Sequence, residues 1–376
     1  MQLVVSRKDL VRILQRCQGV ADKKSTMPVL GNVLLEVEGP DRLRVAATDL
    51  YVAITGAIPA EVEKGGSIAL GARDLLERVK AMPEGKISIE TNAAATTIRA
   101  VGHARRYTLH GLPGEEFPAL PQAASTAERL SLSASALARL MAGTHFSIST
   151  DETRLHLSSA LFEWDGDKVR MVTTDGHRLS KMDVRLPSTQ TGSSMLIPLK
   201  GITELRRLCD EVRSEGEDLE IGIVQSGSNV FFDMKAFQFS VKLVDAQFPP
   251  YQQVIPASSE RRVVASRLAV IESLRAVQVA ASDRTGGVKF SLSKNVLRFS
   301  SENPDSGEGF DEVSAEYSGG ELTVGFNAKY LLDVLGAIDS DTIAIELSGE
   351  LDPAVIAPAK QAENSTYTAV IMPMRI

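Results

Sequence analysis

Only two cysteines, Cys17 and Cys209, occur in 376 residues, too few and too distant for a disulfide framework. Each lies among apolar residues at helical spacing, so both read as buried free thiols. The five histidines show neither HxxxH nor HExxH spacing, and no metal site is expected. Aromatics make up 5% of the chain, with one tryptophan. No aromatic cluster suited to base stacking is present, and no helix-turn-helix or zinc-finger pattern, so sequence-specific nucleic-acid recognition is not expected. A nucleophile elbow of the GxSxG type is missing as well. No apolar run reaches the roughly 18 residues of a membrane span. The opening MQLVVSRKDL lacks an apolar signal core and a small-residue cleavage site, which predicts a cytoplasmic protein with no membrane partner.

What is present is repetition. The tract Arg170-Met-Val-Thr-Thr-Asp-Gly-His-Arg-Leu-Ser180 alternates like a strand and then breaks at Asp175-Gly176 into a turn. Arg44-Val-Ala-Ala-Thr-Asp49 and Arg298-Phe-Ser-Ser-Glu-Asn-Pro304 have the same form at nearly equal spacing along the chain. A chemical site is rarely triplicated in one chain, whereas a structural unit often is.

The repeats divide again into halves. Ser6, Ser133 and Ser266 each end a short apolar strand and open a helical pattern, as an N-cap would. Their apolar faces are Leu10, Ile13, Leu14 and Cys17; Leu137, Leu140 and Met141; and Val270, Ile271 and Leu274. A second helix type follows each: Leu75, Leu76 and Val79; Ile202, Leu205 and Leu208; Leu331, Val334 and Leu335. Alternating runs such as 33–38, 44–48, 87–90, 219–224, 230–234, 288–292 and 344–347 predict the strands. Pro- and Ala-rich segments at 117–125 and 248–259 resemble each other and close the first two repeats. The expectation is an α+β chain of three tandem similar domains, 1–125, 126–255 and 256–376, each of two half-repeats of helix plus strands.

Net charge is −7, which argues against nucleic acid until its distribution is examined. Residues 6–21 alone carry +3, and the six helical segments together carry +6. Basic charge is thus concentrated on helices in an otherwise acidic protein. Such a face is either solvated or turned toward phosphates without reading bases.

At this point the motifs converge. TMPVLGN (26–32), TTDGHRLS (173–180), FPPYQQVIP (248–256), ENPDSGEG (302–309), GFNAKYLLDVL (325–335) and the terminal VIMPMRI together resemble the bacterial DNA polymerase III β subunit family. The resemblance runs from Met1 to Ile376. It implies a DNA-clamp fold, with two chains joined head to tail into a ring whose helices line the hole. It implies a processivity factor that encircles double-stranded DNA, slides without sequence preference and tethers the replicative polymerase. No cofactor is implied. Polymerase and 3′-5′ exonuclease activities belong to the assembly rather than to this subunit.

Three sites follow from the resemblance. A pocket for a short linear peptide would be lined by Arg154, Leu157, Thr174, Gly176, His177, Arg178, Leu179, Pro249 and Val254. Asn327, Tyr330 and the terminal Val370, Ile371, Met372, Pro373, Met374, Arg375 and Ile376 complete it, with Arg154 and Arg178 at the rim. Its implied partners are the polymerase α subunit, the clamp loader, translesion polymerases and repair proteins. DNA would be faced by Arg7, Arg12, Arg16, Lys24, Arg73, Arg78, Lys80, Arg139, Lys200, Arg206 and Arg207. The homodimer interface would bring Tyr107 and Leu109 of one chain to Val279 and Ala280 of the other. Gln252 and Gln253 stand where the family usually has basic residues, and Ala280 is smaller than the usual apolar residue there.

Two other classes compete. A hydrolase would use Asp175 and His177, with Thr174 or Ser180 nearby, but has no oxyanion motif. A repeat scaffold without nucleic acid explains the repeats but not the basic helices.

Overall fold

The computed structural model of the chain describes residues 1–124, 127–216, 218–281, 286–303 and 307–375, with 187–191 as backbone only. The six helices are α1 (Arg7–Gln18), α2 (Ala72–Lys80), α3 (Ala134–Thr144), α4 (Leu199–Ser214), α5 (Arg267–Gln278) and α6 (Ala328–Ala337). Ser6 caps α1 by accepting from Asp9 N, and Ser266 caps α5 by accepting from Ala269 N. Asn327 caps α6, accepting from Lys329 N at 3.0 Å and Tyr330 N at 3.4 Å. These side chains satisfy amides that the first helical turn leaves without partners. Every apolar helix position predicted from spacing is buried. The strands also fall where alternation places them, within one or two residues.

Chain contacts group into two units rather than three, Met1–Ser135 with Thr203–Leu243, and Ala136–Ile202 with Val244–Ile376. The reason is strand pairing across the repeat boundaries. In the first unit, strand Phe237–Lys242 of the central repeat pairs antiparallel with Val52–Lys64 of the first, from Phe237↔Gly56 to Val241↔Val52. In the second, Arg178–Pro198 pairs with Ser365–Ile371 of the last repeat, from Arg178↔Ile371 to Val184↔Ser365. The central repeat therefore gives one sheet to each neighbour.

The repeated arginines have one structural job. Each sits directly across from a carboxylate on the adjacent strand: Arg44↔Glu36, Arg170↔Asp183 and Arg298↔Glu312. All three pairs are bonded, through Arg44 Nη1 to Glu36 at 3.1 Å, Arg170 Nε to Asp183 at 2.6 Å and Arg298 Nε to Glu312 at 2.8 Å.

The turn after the arginine strand repeats in the same detail. Asp49 Oδ1 accepts from Tyr51 N and Val52 N, and Asp175 Oδ1 accepts from His177 N and Arg178 N. Thr48 and Thr174 hydroxyls donate to the carbonyls of Val52 and Arg178. The residue after the aspartate has positive φ in both, 77° at Leu50 and 93° at Gly176. Glycine takes that conformation freely; leucine holds it under strain.

Candidate functional site

The second unit contains the predicted pocket residues, and their geometry starts from the Thr174–Arg178 turn. Asp175 is committed to that turn: one oxygen accepts two backbone amides, and the other accepts Arg178 Nε at 3.0 Å. His177 is exposed and stacks on Tyr330, with ring centroids 6.4 Å apart. No bond joins the Asp175 carboxylate to the His177 ring among the described contacts, and the pair has the wiring of a turn rather than of an acid–base dyad.

Arg178 corrects the expectation of a rim residue. It is 8% exposed. Its guanidinium donates to Asp333 at 2.6 Å and to Phe146 O, and lies 4.4 Å from the Tyr330 ring centre. It joins the turn to α6. Arg154 does stand at the surface, bonded to Asp151 at 3.1 Å.

The floor is apolar. Leu161, Val172, Leu179, Leu196, Tyr251 and Val370 form one buried cluster, with Val244, Phe248 and Ile255 against it. The C-terminal segment is held by strand pairing up to Ile371, then by Met372 N to His177 O (2.9 Å) and Met374 N to Gly325 O (2.8 Å). Met372 is 39% and Val254 42% exposed. Gln252 and Gln253 are exposed too. Leu157 is buried, Thr174, Pro249, Asn327, Tyr330, Pro373 and Met374 are half-buried, and Gly176 and Arg375 are exposed. Ile376 lies outside the described residues.

Several residues here went unread in the sequence. Tyr251 is 4% exposed, and its hydroxyl donates to Glu163 at 2.7 Å and accepts from Arg170 at 2.9 Å. Burial and the neighbouring Glu163 push this phenol up to about 12, so it remains a donor. Burial pulls Asp183 toward protonation, but the Arg170 hydrogen bond, the Lys181 and Arg170 charges and the Thr366 hydrogen bond together outweigh it and lower its pKa. Phe248 and Tyr251 were visible as two aromatics in an otherwise Pro- and Gln-rich linker. Nothing local marked Glu163, Phe146 or Asp333.

The basic helix residues divide into two sets. Arg12, Lys24, Arg73, Lys80, Arg139 and Lys200 are exposed, with Arg73 bonded to Glu77 at 2.6 Å. Arg7 instead ties α1 to the end of α2, through Val79 O, Lys80 O and Glu84. Arg78 donates to Asp74 O within α2. Arg206 is half-buried. Arg16 departs furthest from a solvent-facing position: it is 4% exposed, bonded to Glu211 (2.8 Å) and Glu215 (3.2 Å), with Phe237 under its guanidinium at 4.3 Å. Burial lowers its pKa, opposed by Glu211. Arg12 Nε bonds Glu215 at 2.8 Å, and Arg207 bonds Glu204 at 2.9 Å and the Arg16 carbonyl at 3.0 Å. These three form an ion-pair cluster with Glu204 and Glu211 of α4 and with Glu215 just after it.

Of the expected interface residues, Val279 is 87% exposed, a large apolar side chain in water, and Ala280 is half-buried. Tyr107 and Leu109 lie on Arg106–His110, which pairs only with Ala95–Ala100 among the described strands and is a sheet edge. Leu109 is 6% exposed within its own unit, so it supports the fold before any partner arrives. In the second unit, the Gly307–Ser314 part of strand Gly307–Glu316 likewise has a neighbour on one side only.

Family profiles of the DNA polymerase III beta subunit match the chain three times. The N-terminal domain matches residues 1–121, the central domain 131–250 and the C-terminal domain 252–375. The curated "Beta sliding clamp" of Pseudomonas aeruginosa is 34% identical over 379 residues, covering all of both chains. That of Escherichia coli (strain K12) is 29% identical over 378 residues with the same coverage. A crystal structure of the P. aeruginosa DNA polymerase sliding clamp with ligand superposes at a TM-score of 0.92, with 34% identity and complete coverage of both chains. A P. aeruginosa clamp bound to griselimycin gives 0.92 at 33% identity, again covering both chains completely.

Proposed function

Since the chain belongs to the DNA polymerase III beta subunit family, we propose that two copies close head to tail around duplex DNA and carry partners on the pocket of the second unit. It is a non-catalytic processivity subunit of the polymerase assembly. The three domains are assigned to 1–125, 126–255 and 256–376. The polymerase α subunit, the clamp loader, translesion polymerases and repair proteins bind the pocket through a short linear peptide with glutamine, leucine and phenylalanine anchors.

The observation that carries the pocket is the C-terminal segment. This apolar segment is bonded through Met372 N to His177 O and Met374 N to Gly325 O, and leaves Met372 39% exposed. Thioether and aliphatic surface of this kind accepts varied apolar side chains.

Charge supports the ring closure. The sheet edge at Arg106–His110 is flanked by Arg105 and Arg106, and the edge at Gly307–Glu316 carries Glu308, Asp311 and Glu312. Joining the two edges between copies satisfies their open backbone groups and pairs opposite charges. DNA contact is assigned to five exposed residues, Lys24, Arg73, Lys80, Arg139 and Lys200, with Arg7 and Arg78 at their margin. Arg12, Arg16, Arg206 and Arg207 take secondary parts: Arg16 is buried and Arg206 half-buried, and Arg12 and Arg207 are held by Glu215 and Glu204.

Weak phosphate contacts without base readout let a ring move, because no register forms a deep energy well. Lys24→Glu with Lys80→Glu is therefore expected to impair processive synthesis and to lower the slope of log affinity against log salt by roughly 2. Melting temperature should be unchanged. Tight, sequence-selective binding by the purified protein would contradict this assignment.

A further inference from the structure

The two linkers that close the first and central repeats are built alike but fastened differently. Phe117-Pro-Ala-Leu120 corresponds to Phe248-Pro-Pro-Tyr251. In both repeats the arginine strand pairs with a glutamate, Arg44 Nη1 to Glu36 at 3.1 Å and Arg170 Nη1 to Glu163 at 3.2 Å. In the central repeat the tyrosine hydroxyl enters that pair, donating to Glu163 and accepting from Arg170. Asp183 then takes the rest of the guanidinium, at 2.6 and 3.2 Å.

The first repeat has Leu120 and Ala57 in place of Tyr251 and Asp183, Ala57 being the residue opposite Arg44. The hydroxyl at its ion pair comes from the neighbouring strand, Thr55 accepting from Arg44 Nε at 3.2 Å; among the described residues none comes from the linker. A crevice of about 890 Å³ opens there, with Arg44, Ala57, Pro121 and Gln122 among its lining residues. The first linker is held by apolar packing of Phe117 and Leu120 and, at its far end, by Ala124 N donating to Ser226 Oγ at 3.1 Å; among the described contacts none of its side chains enters the ion pair. The hydroxyl bracket occurs at the linker that carries two proposed pocket residues, Pro249 and Val254, two and three positions from Tyr251.

We propose that Tyr251 is a positioning residue for partner binding: its hydroxyl, bonded to Glu163 and Arg170, locks the 248–255 linker so that Pro249 and Val254 stand ready at the pocket edge. This rests on the pocket assignment above. Locking a loop in its bound conformation raises affinity mainly by reducing the ordering needed on binding. A single bracket of two charge-assisted hydrogen bonds suffices to hold so short a segment.

The test is fluorescence anisotropy with a labelled pentapeptide carrying glutamine, leucine and phenylalanine anchors, on the full-length protein. Tyr251→Phe keeps the ring and removes the hydroxyl; it is expected to weaken binding about 10-fold, chiefly through a faster off-rate. Dimerisation should hold. Glu163→Ala should weaken binding similarly, and the double variant should bind no worse than the weaker single, because both remove the same bracket. Additive losses would mean that Tyr251 and Glu163 act separately, and would overturn the proposal. Leu179→Ala, on the pocket floor, serves as the control. If it weakens the peptide while Tyr251→Phe binds like the wild type, the bracket is wrong and the pocket stands. If the wild-type protein does not bind the peptide, the pocket assignment fails and the bracket with it.

Discussion

Removal of the last five residues, Met372–Ile376, is expected to abolish binding of partner peptides and to leave the dimer intact. The deleted segment contributes Met372 and Met374, whose amides bond His177 O and Gly325 O. It takes with it the thioethers of Met372, 39% exposed, and half-buried Met374. Strand Ser365–Ile371 remains, with its full register against Arg178–Val184, so the second unit keeps its sheet. Losing a central anchor of a small apolar site costs about 2–4 kcal/mol, and together with the released backbone bonds the loss should exceed roughly 100-fold in affinity. The dimer edges lie on other strands and should not respond. A truncated protein that still bound polymerase and clamp loader would place the docking surface elsewhere.

The second large effect is expected at Val279. A charge on Leu109 is a poor probe, because that side chain is buried within its own unit and its replacement would test folding. Val279 is 87% exposed, so Val279→Asp costs the isolated chain almost nothing. If a second copy covers that position, an aspartate there becomes a buried charge without a partner, worth several kcal/mol. Dimer dissociation should then strengthen by about 100-fold or more, giving a monomer in sedimentation at micromolar concentration. A Val279→Asp protein as dimeric as the wild type would exclude this residue from the interface.

Much of this architecture is legible in the sequence because its causes are local. Leu10, Ile13, Leu14 and Cys17 announce a buried helix face by spacing, and Ser6 marks where that helix begins. The Thr-Asp turn is legible for the same reason, since its hydrogen bonds all lie within five residues. What escapes is non-local. Arg16 reads as one more cation on a basic helix; Glu211, Glu215 and Phe237, which bury it, come from far along the chain. Arg178 reads as a rim residue until Asp333 and Tyr330 close over it. Tyr251 reads as a linker aromatic, and its part in the site depends on Glu163 and Arg170, two strand residues that no spacing connects to it. The grouping into two units has the same origin. Strands of the central repeat extend the sheets of both neighbours, a matter of edge pairing rather than of repeat period.

The central claim is that retention on DNA comes from topology rather than affinity. Loaded onto a nicked circle by its clamp loader, the protein should stay bound through gel filtration in salt that abolishes its direct binding to open duplex. Linearising the same DNA should release it. Equal retention on the circle and on the linear form would contradict encirclement and leave a protein that holds DNA by surface contact.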